Sequence, residues 1–251
     1  MSSAKRLIVN ADDLGESAAV NRGVLETHRR GIVTSASLSV NFPAAADVPG
    51  LAQDAPGLGV GLQVTFTGGP PVLPPERIPT FVDFHGRLPA TPEGIDNARP
   101  EEILAEARAQ LRRFRELMGR EPTHLDSRHH AHRRPAALEA MLTLAWETGL
   151  PVRNASRNVH ERLRREGIRT TDQVMAEFHG AGATLEALLM LLGGLPVGTT
   201  ELMCRPTLGD EQVAAESAGV PRGGGVDALT HREARQTVQA TGVRLIHFGD
   251  L

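Results

Sequence analysis

The chain has 251 residues, long enough to bury one large hydrophobic core. Hydrophobic residues make up 40% and charged residues 23%, and 27 basic against 30 acidic side chains leave a net charge of −3, so no nucleic-acid or membrane partner is expected. The single Cys204 excludes an intrachain disulfide framework and a thiolate zinc cluster, and no run approaches the roughly 20 apolar residues of a membrane span. Met1 to Arg6 leads straight into Leu7-Ile8-Val9, which is too short for a signal-peptide core, so a cytoplasmic address is expected.

Short apolar runs alternate with helical patterns. Leu7-Ile8-Val9 predicts a first strand, and Ala18 to Arg30 a helix closed by Gly31. Ser35 to Val40 and Gly59 to Phe66 read as two more strands. The clearest helix spans 101–118: Ile103, Leu104, Ala107, Leu111, Phe114, Leu117 and Met118 share a face, Pro100 precedes them and Gly119 follows. Thr123-His124-Leu125 reads as a strand end, 135–148 as a helix, Pro151-Val152-Arg153 as a short strand, and 184–192 as an apolar helix. Late strands are expected at Glu201–Cys204 and Val243–Ile246, with a helix between them near 230–241. Such alternation predicts one α/β domain over 1–251, a mostly parallel sheet with helices outside it, and long loops at about 67–99 and 215–228. Periodicity alone does not choose between a closed barrel and an open sheet.

Two segments could carry chemistry. Asn10-Ala11-Asp12-Asp13-Leu14-Gly15 ends the first strand, and paired carboxylates there suit a metal ligand beside a general base. They equally suit a helix cap before Ser17. The second segment is Thr123 to His132, with His124, Asp126, His129, His130 and His132; imidazole with carboxylate is a common catalytic ligand mix. Cys204 reads as a small buried hydrophobe. Aromatics are scarce, with seven Phe, one Trp and no Tyr, which counts against an extended platform for stacking glycans.

Taken together these segments resemble the YdjC-like carbohydrate deacetylases. Asn10–Gly15 is similar to that family's N-A-D-D-F-G, Gly31–Ser35 to G-I-V-T-S, and Gly61–Thr67 to G-L-H-L-N-L-T. Pro122–His132 is similar to P-T-H-L-D-S-H-H-H-V-H and Leu202–Pro206 to L-M-C-H-P, all in the family's order. The resemblance implies an irregular, TIM-like (β/α) barrel with its site at the strand C-termini, a divalent metal (Mg or Zn), an N-acetylated sugar as substrate, and a homodimer. It implies Asp12 as base and Asp13 as metal ligand. The family's two histidine ligands fall on Gln63 and Arg128, and the histidine of its C-H-P motif falls on Arg205.

A glutamine carbonyl is a weak neutral ligand and a guanidinium repels a cation. Three readings follow from these replacements, the third being a metal-free enzyme that uses Asp12 and His130 as an acid-base pair. In the first, the metal site is degenerate, the chain is a pseudoenzyme, and it binds a small, anionic, sugar-like ligand. In the second, it is an active hydrolase whose metal is held by Asp13, His130 and either His132 or Gln63. Asp12 and His130 are the catalytic candidates, and Gln63, Arg128, His132 and Arg205 the candidates for contacting substrate. Loss of the metal's charge leaves Asp12 and Asp13 to be compensated, so an ion pair of Arg128 with Asp13 is expected.

Overall fold

The computed structural model describes residues 4–208 and 225–251. In chain order the elements are β1 (Lys5–Leu14), α1 (Ala18–Arg30), β2 (Ser35–Leu38), α2 (Val48–Gln53), β3 (Gly59–Val64), α3 (Pro100–Met118), β4 (Leu125–Ser127), α4 (Pro135–Thr148), α5 (Arg157–Arg165), β5 (Gln173–Met175), α6 (Leu185–Gly193), β6 (Gly198–Cys204), α7 (Val226–Thr230), α8 (Arg232–Ala240) and β7 (Arg244–Leu245). The strands are ordered β4-β3-β2-β1-β6-β5, with β7 also beside β1, and every pairing is parallel. This curled sheet, with helices packed outside it, is the irregular (β/α) barrel expected. Because the strands are parallel, their C-terminal ends share one rim, where ligand sites of such folds form.

Local chemistry sets the element ends. Ser17 Oγ accepts from Val20 N and caps α1, so neither aspartate is needed for that role, and His28, Arg29 and Arg30 fill the last turn where cations suit the helix dipole. Gly119 and Gly149 close α3 and α4 in left-handed conformations. One face of α1 lies so close to the chain after β6 that a Cβ on Gly23 would come 2.5 Å from the Pro206 carbonyl oxygen. That contact seats the segment carrying Arg205. The main apolar core lies on one face of the sheet, from Leu7, Val9 and Ala11 through Ala36, Val60, Leu62 and Val64 to Leu202, while the other face buries Ile8 together with the polar Asn10, Ser37, Asp126 and Glu201.

Several expectations need correction. The segment at Pro151–Arg153 forms one parallel bridge, Val152 with Leu125, rather than a strand. Strands β2 and β3 each stop two residues early, and α2, α5 and β5 were not foreseen. The long loop 67–99 is fastened to α3: the Glu106 carboxylate accepts from Val72 N and Leu73 N, and Glu102 from Thr80 N and Oγ1. The loop expected at 215–228 falls outside the described residues up to 224, and Val226 already begins α7.

Candidate functional site

The C-terminal end of β1 departs from regular strand geometry at the acidic pair. Asp13 adopts φ +66°, and the β1–β2 register shifts between Ala11 and Leu14. A bulge of this kind re-aims side chains, and here both carboxylates are buried although strand alternation would separate them. Among the described residues the other non-glycine residues with positive φ are His129 and His130, on the turn after β4. The sparsely populated backbone conformations therefore cluster at one rim of the barrel, as they do at functional sites.

Asp12 belongs to a cluster around Arg153. That guanidinium is fully buried and grips Asp12 with both terminal nitrogens, Nη2 to Oδ1 at 2.6 Å and Nη1 to Oδ2 at 3.0 Å. Nε donates to Glu201 Oε1 at 2.8 Å, and Nη1 lies 2.7 Å from Asp126 Oδ2. Burial alone would lower the Arg153 pKa, but Asp12, Asp126 and Glu201 outweigh it and hold the group charged. Burial, helped by the charges of Asp12 and Glu201 against the pull of Arg153, raises the Asp126 pKa to about 8. Asn10 Nδ2 completes the fixing of Asp12, donating to its Oδ1 at 3.0 Å and to Ser37 Oγ at 2.8 Å.

Asp13 faces different partners. Arg128 Nη1 donates to its Oδ1 at 3.2 Å and Nη2 to Glu16 Oε1 at 2.8 Å, and Arg205 Nε stands 3.4 Å from Asp13 Oδ2. Arg128 is 1% exposed and Arg205 14%. The Phe42 ring covers the Arg128 guanidinium at 5.1 Å, and also lines a cavity of about 340 Å³ with Asn41, Val72 and Leu117. The Arg128–Asp13 pair expected from the sequence is thus present.

Gln63 is buried at the end of β3, where its Oε1 accepts from Ser39 Oγ at 2.8 Å. His132 is also buried, with Nδ1 against Ser127 Oγ and Nε2 3.2 Å from the Arg153 carbonyl oxygen, so both ring nitrogens are used within the fold. His130 stands at the rim with a buried Nδ1 that has no partner among the described residues. Burial and the positive charges of Arg153, Arg133, Arg205 and His129 push its pKa to about 3, so its imidazole is neutral. His124 is fully buried and stacked on Phe248. Arg153, Glu201, Glu16 and Phe42 join the site without standing among the candidates legible in the sequence. A lone arginine in an otherwise apolar strand-like run, Pro151-Val152-Arg153, was the available signal for the first.

A family model described as "YdjC-like protein" matches residues 6–240. The chain belongs to the YdjC-like family. Among its relatives, a carbohydrate deacetylase from Brevibacillus brevis is 37% identical over 251 residues, 98% of this chain and 99% of that one. A chitooligosaccharide deacetylase from Klebsiella pneumoniae is 33% identical, with 98% of each chain covered. The crystal structure of a candidate cellobiose-phosphate cleavage protein from Enterococcus faecalis superposes with a TM-score of 0.89 at 30% identity, covering 99% of each chain. YdjC-like deacetylases use a divalent metal. Asp13 is already engaged by two guanidiniums, and the Gln63 carbonyl accepts a hydrogen bond from the Ser39 hydroxyl. Among the described residues, no group of three or more His, Cys, Asp or Glu is arranged to hold a metal ion. In this arrangement Asp13 and Gln63 are committed to partners within the chain.

Proposed function

We propose that this YdjC-like protein keeps the sugar-binding architecture of its family but not metal-dependent deacetylation. The observation carrying this reading is Arg128, buried against Asp13 at the position where the resemblance implies a metal-binding histidine. A guanidinium cannot coordinate a cation, and its fixed positive charge already compensates the carboxylate a metal would need. A catalytic site of the zinc type needs about three protein ligands, and Asp13 with Gln63 supplies fewer. Without a metal, the pKa of water remains near ~15.7 and the nucleophile is weak.

The ligand in this reading is a sugar carrying a carboxylate or phosphate. Arg128 is withdrawn into ion pairs, so anion recognition falls to Arg205, which is partly exposed, and Arg133, which is exposed; both act on the neutral His130 ring. The phosphorylated disaccharide in the description of the Enterococcus faecalis protein supports this class. The alternative, an active hydrolase with a rearranged metal, has one observation in its favour: the unpartnered Nδ1 of His130. The engagement of both His132 nitrogens speaks against it.

Two measurements decide between these readings. Chitooligosaccharides are incubated with the protein and Zn²⁺ or Mg²⁺, and released acetate is quantified. Thermal shifts are compared for cellobiose phosphate, glucosamine 6-phosphate and neutral chitobiose. No acetate release, with stabilisation by the phosphorylated sugars, is expected. Metal-dependent acetate release, or stabilisation by neutral sugars alone, contradicts the proposal.

A further inference from the structure

Two side chains beyond Asp13 close around the Arg128 guanidinium, and a metal site would need neither in this arrangement. Glu16 takes Nη2 at 2.8 Å while Asp13 takes Nη1 at 3.2 Å, so the two carboxylates receive separate arms of the planar fork. Both stand on the turn that ends β1, where Glu16 N donates to the Asp13 carbonyl oxygen at 3.1 Å and Asp13 itself is left-handed. Phe42, on the chain after β2, lays its ring 5.1 Å from the guanidinium carbon. Two spaced carboxylates under one aromatic face suit a flat, weakly hydrated organic cation. They do not suit a divalent ion, which demands a compact shell of oxygen or nitrogen donors and gains no ligand from phenylalanine.

We propose that Asp13, Glu16 and Phe42 form a guanidinium-selective cation site, with Arg128 as its resident occupant and Glu16 and Phe42 as its positioning residues. The inference rests on the reading that Arg128 replaces a metal, but it makes a separate claim: selectivity lies in the cradle and not in the tether of Arg128. An emptied cradle accordingly takes a free guanidinium from solution in preference to an ammonium or a metal ion.

The test uses the full chain with Arg128→Ala. Its Tm is followed against methylguanidinium, methylammonium, Mg²⁺ and Zn²⁺ at matched ionic strength. Methylguanidinium at about ten times its dissociation constant should raise the Tm of the variant by about 3 °C. Methylammonium and the metals should leave it unchanged, and the native chain should respond to none of them. Adding Glu16→Gln or Phe42→Ala to Arg128→Ala should abolish the response. Equal stabilisation by methylammonium, or binding of Zn²⁺ in place of methylguanidinium, overturns the inference while the metal-free reading of the native chain stands. That reading fails on its own terms if the native chain binds a metal and deacetylates.

Should Arg128→Ala not fold, Arg128→Lys decides the same point. A lysine ammonium is a point charge that cannot offer a planar fork to two carboxylates. Glu16→Gln should therefore lower the Tm of the native chain by clearly more than it lowers that of the Lys variant. An equal loss in both backgrounds overturns the proposal.

Discussion

Asp12 and Asp13 are consecutive on β1, yet each is compensated by a different arginine in a different way. Asp12 is locked by Arg153 inside a fully buried cluster built from β1, β4, β6 and the chain after α4, with carboxylates in excess and Asp126 held near pH 8. Asp13 lies at the rim, where Arg128 and Arg205 converge on it and Glu16 shares the load. In the inner cluster the arginine is the centre and the carboxylates surround it; in the outer one a carboxylate is the centre and arginines surround it. The inner arrangement fixes a carboxylate in the middle of the sheet. In the proposed reading, the outer one supplies positive charge where the family's chemistry calls for a cation. A single bulge, at Asp13, lets one strand serve both.

Changing the outer cluster should have the largest functional effect. Gln63→His with Arg128→His is the smallest change that rebuilds the implied set of one carboxylate and two imidazoles. Zinc titration by calorimetry should find one ion bound to that double variant, against none for Arg128→His alone. Equal binding by both would mean that Gln63 is not a ligand position.

The inner cluster should give the largest loss of stability. Arg153→Leu leaves Asp12, Asp126 and Glu201 buried without their common cation, and breaking a buried pair of this kind costs about 3–5 kcal/mol. Chemical denaturation would read this directly. A loss below about 1 kcal/mol, the range of exposed pairs, would show that the cluster relaxes or admits water.

The fold was far more legible than the site, for a physical reason. Helices α1 and α3 announce themselves by an apolar stripe and by end signals, Gly31 for one, Pro100 and Gly119 for the other. Helix α5 was missed because arginine and other polar residues dominate it and only Val159 and Leu163 are buried. Strand β5 is three residues long and partly exposed at the sheet edge, with no alternation to read. Family resemblance brought Asp13, Arg128 and Arg205 together on paper, and their pairing follows from charge. The Arg153 cluster joins residues 12, 126, 153 and 201, and no local pattern encodes a contact across such separations.

A smaller effect separates the clusters by pH. The Asp126 pKa stands near 8 in the folded chain against an ordinary 3.8, so the native state keeps a proton that the unfolded chain releases. The associated stability is fully present below about pH 4 and is lost as pH rises through about 8. Asp126→Asn should flatten the fall in Tm between neutral pH and about pH 9. His130 and His132 act with the opposite sign: depressed to about 3 from 6.5, they contribute stability that disappears as pH falls below 6.5 toward 3. An unchanged alkaline slope in Asp126→Asn would assign that titration to another group.

The smallest effect belongs to the outer surface. Arg134 and Asp96 pair on the outside of the barrel with side chains 35% and 42% exposed, and Asp96→Asn should cost less than about 1 kcal/mol. A cost equal to that of Arg153→Leu would remove the contrast between buried and exposed pairs.

The central claim is that Arg128 supplies, in the native chain, the positive charge its family takes from a metal. The most direct measurement is the metal content of the purified native protein after equilibration with Zn²⁺ or Mg²⁺ and buffer exchange, read by inductively coupled plasma mass spectrometry. Substoichiometric metal is the expected result, with the Arg128–Asp13 ion pair intact in a crystal grown from the same sample. One tightly held ion per chain on Asp13, with Arg128 turned away to solvent, would contradict the claim and restore the metal-dependent hydrolase.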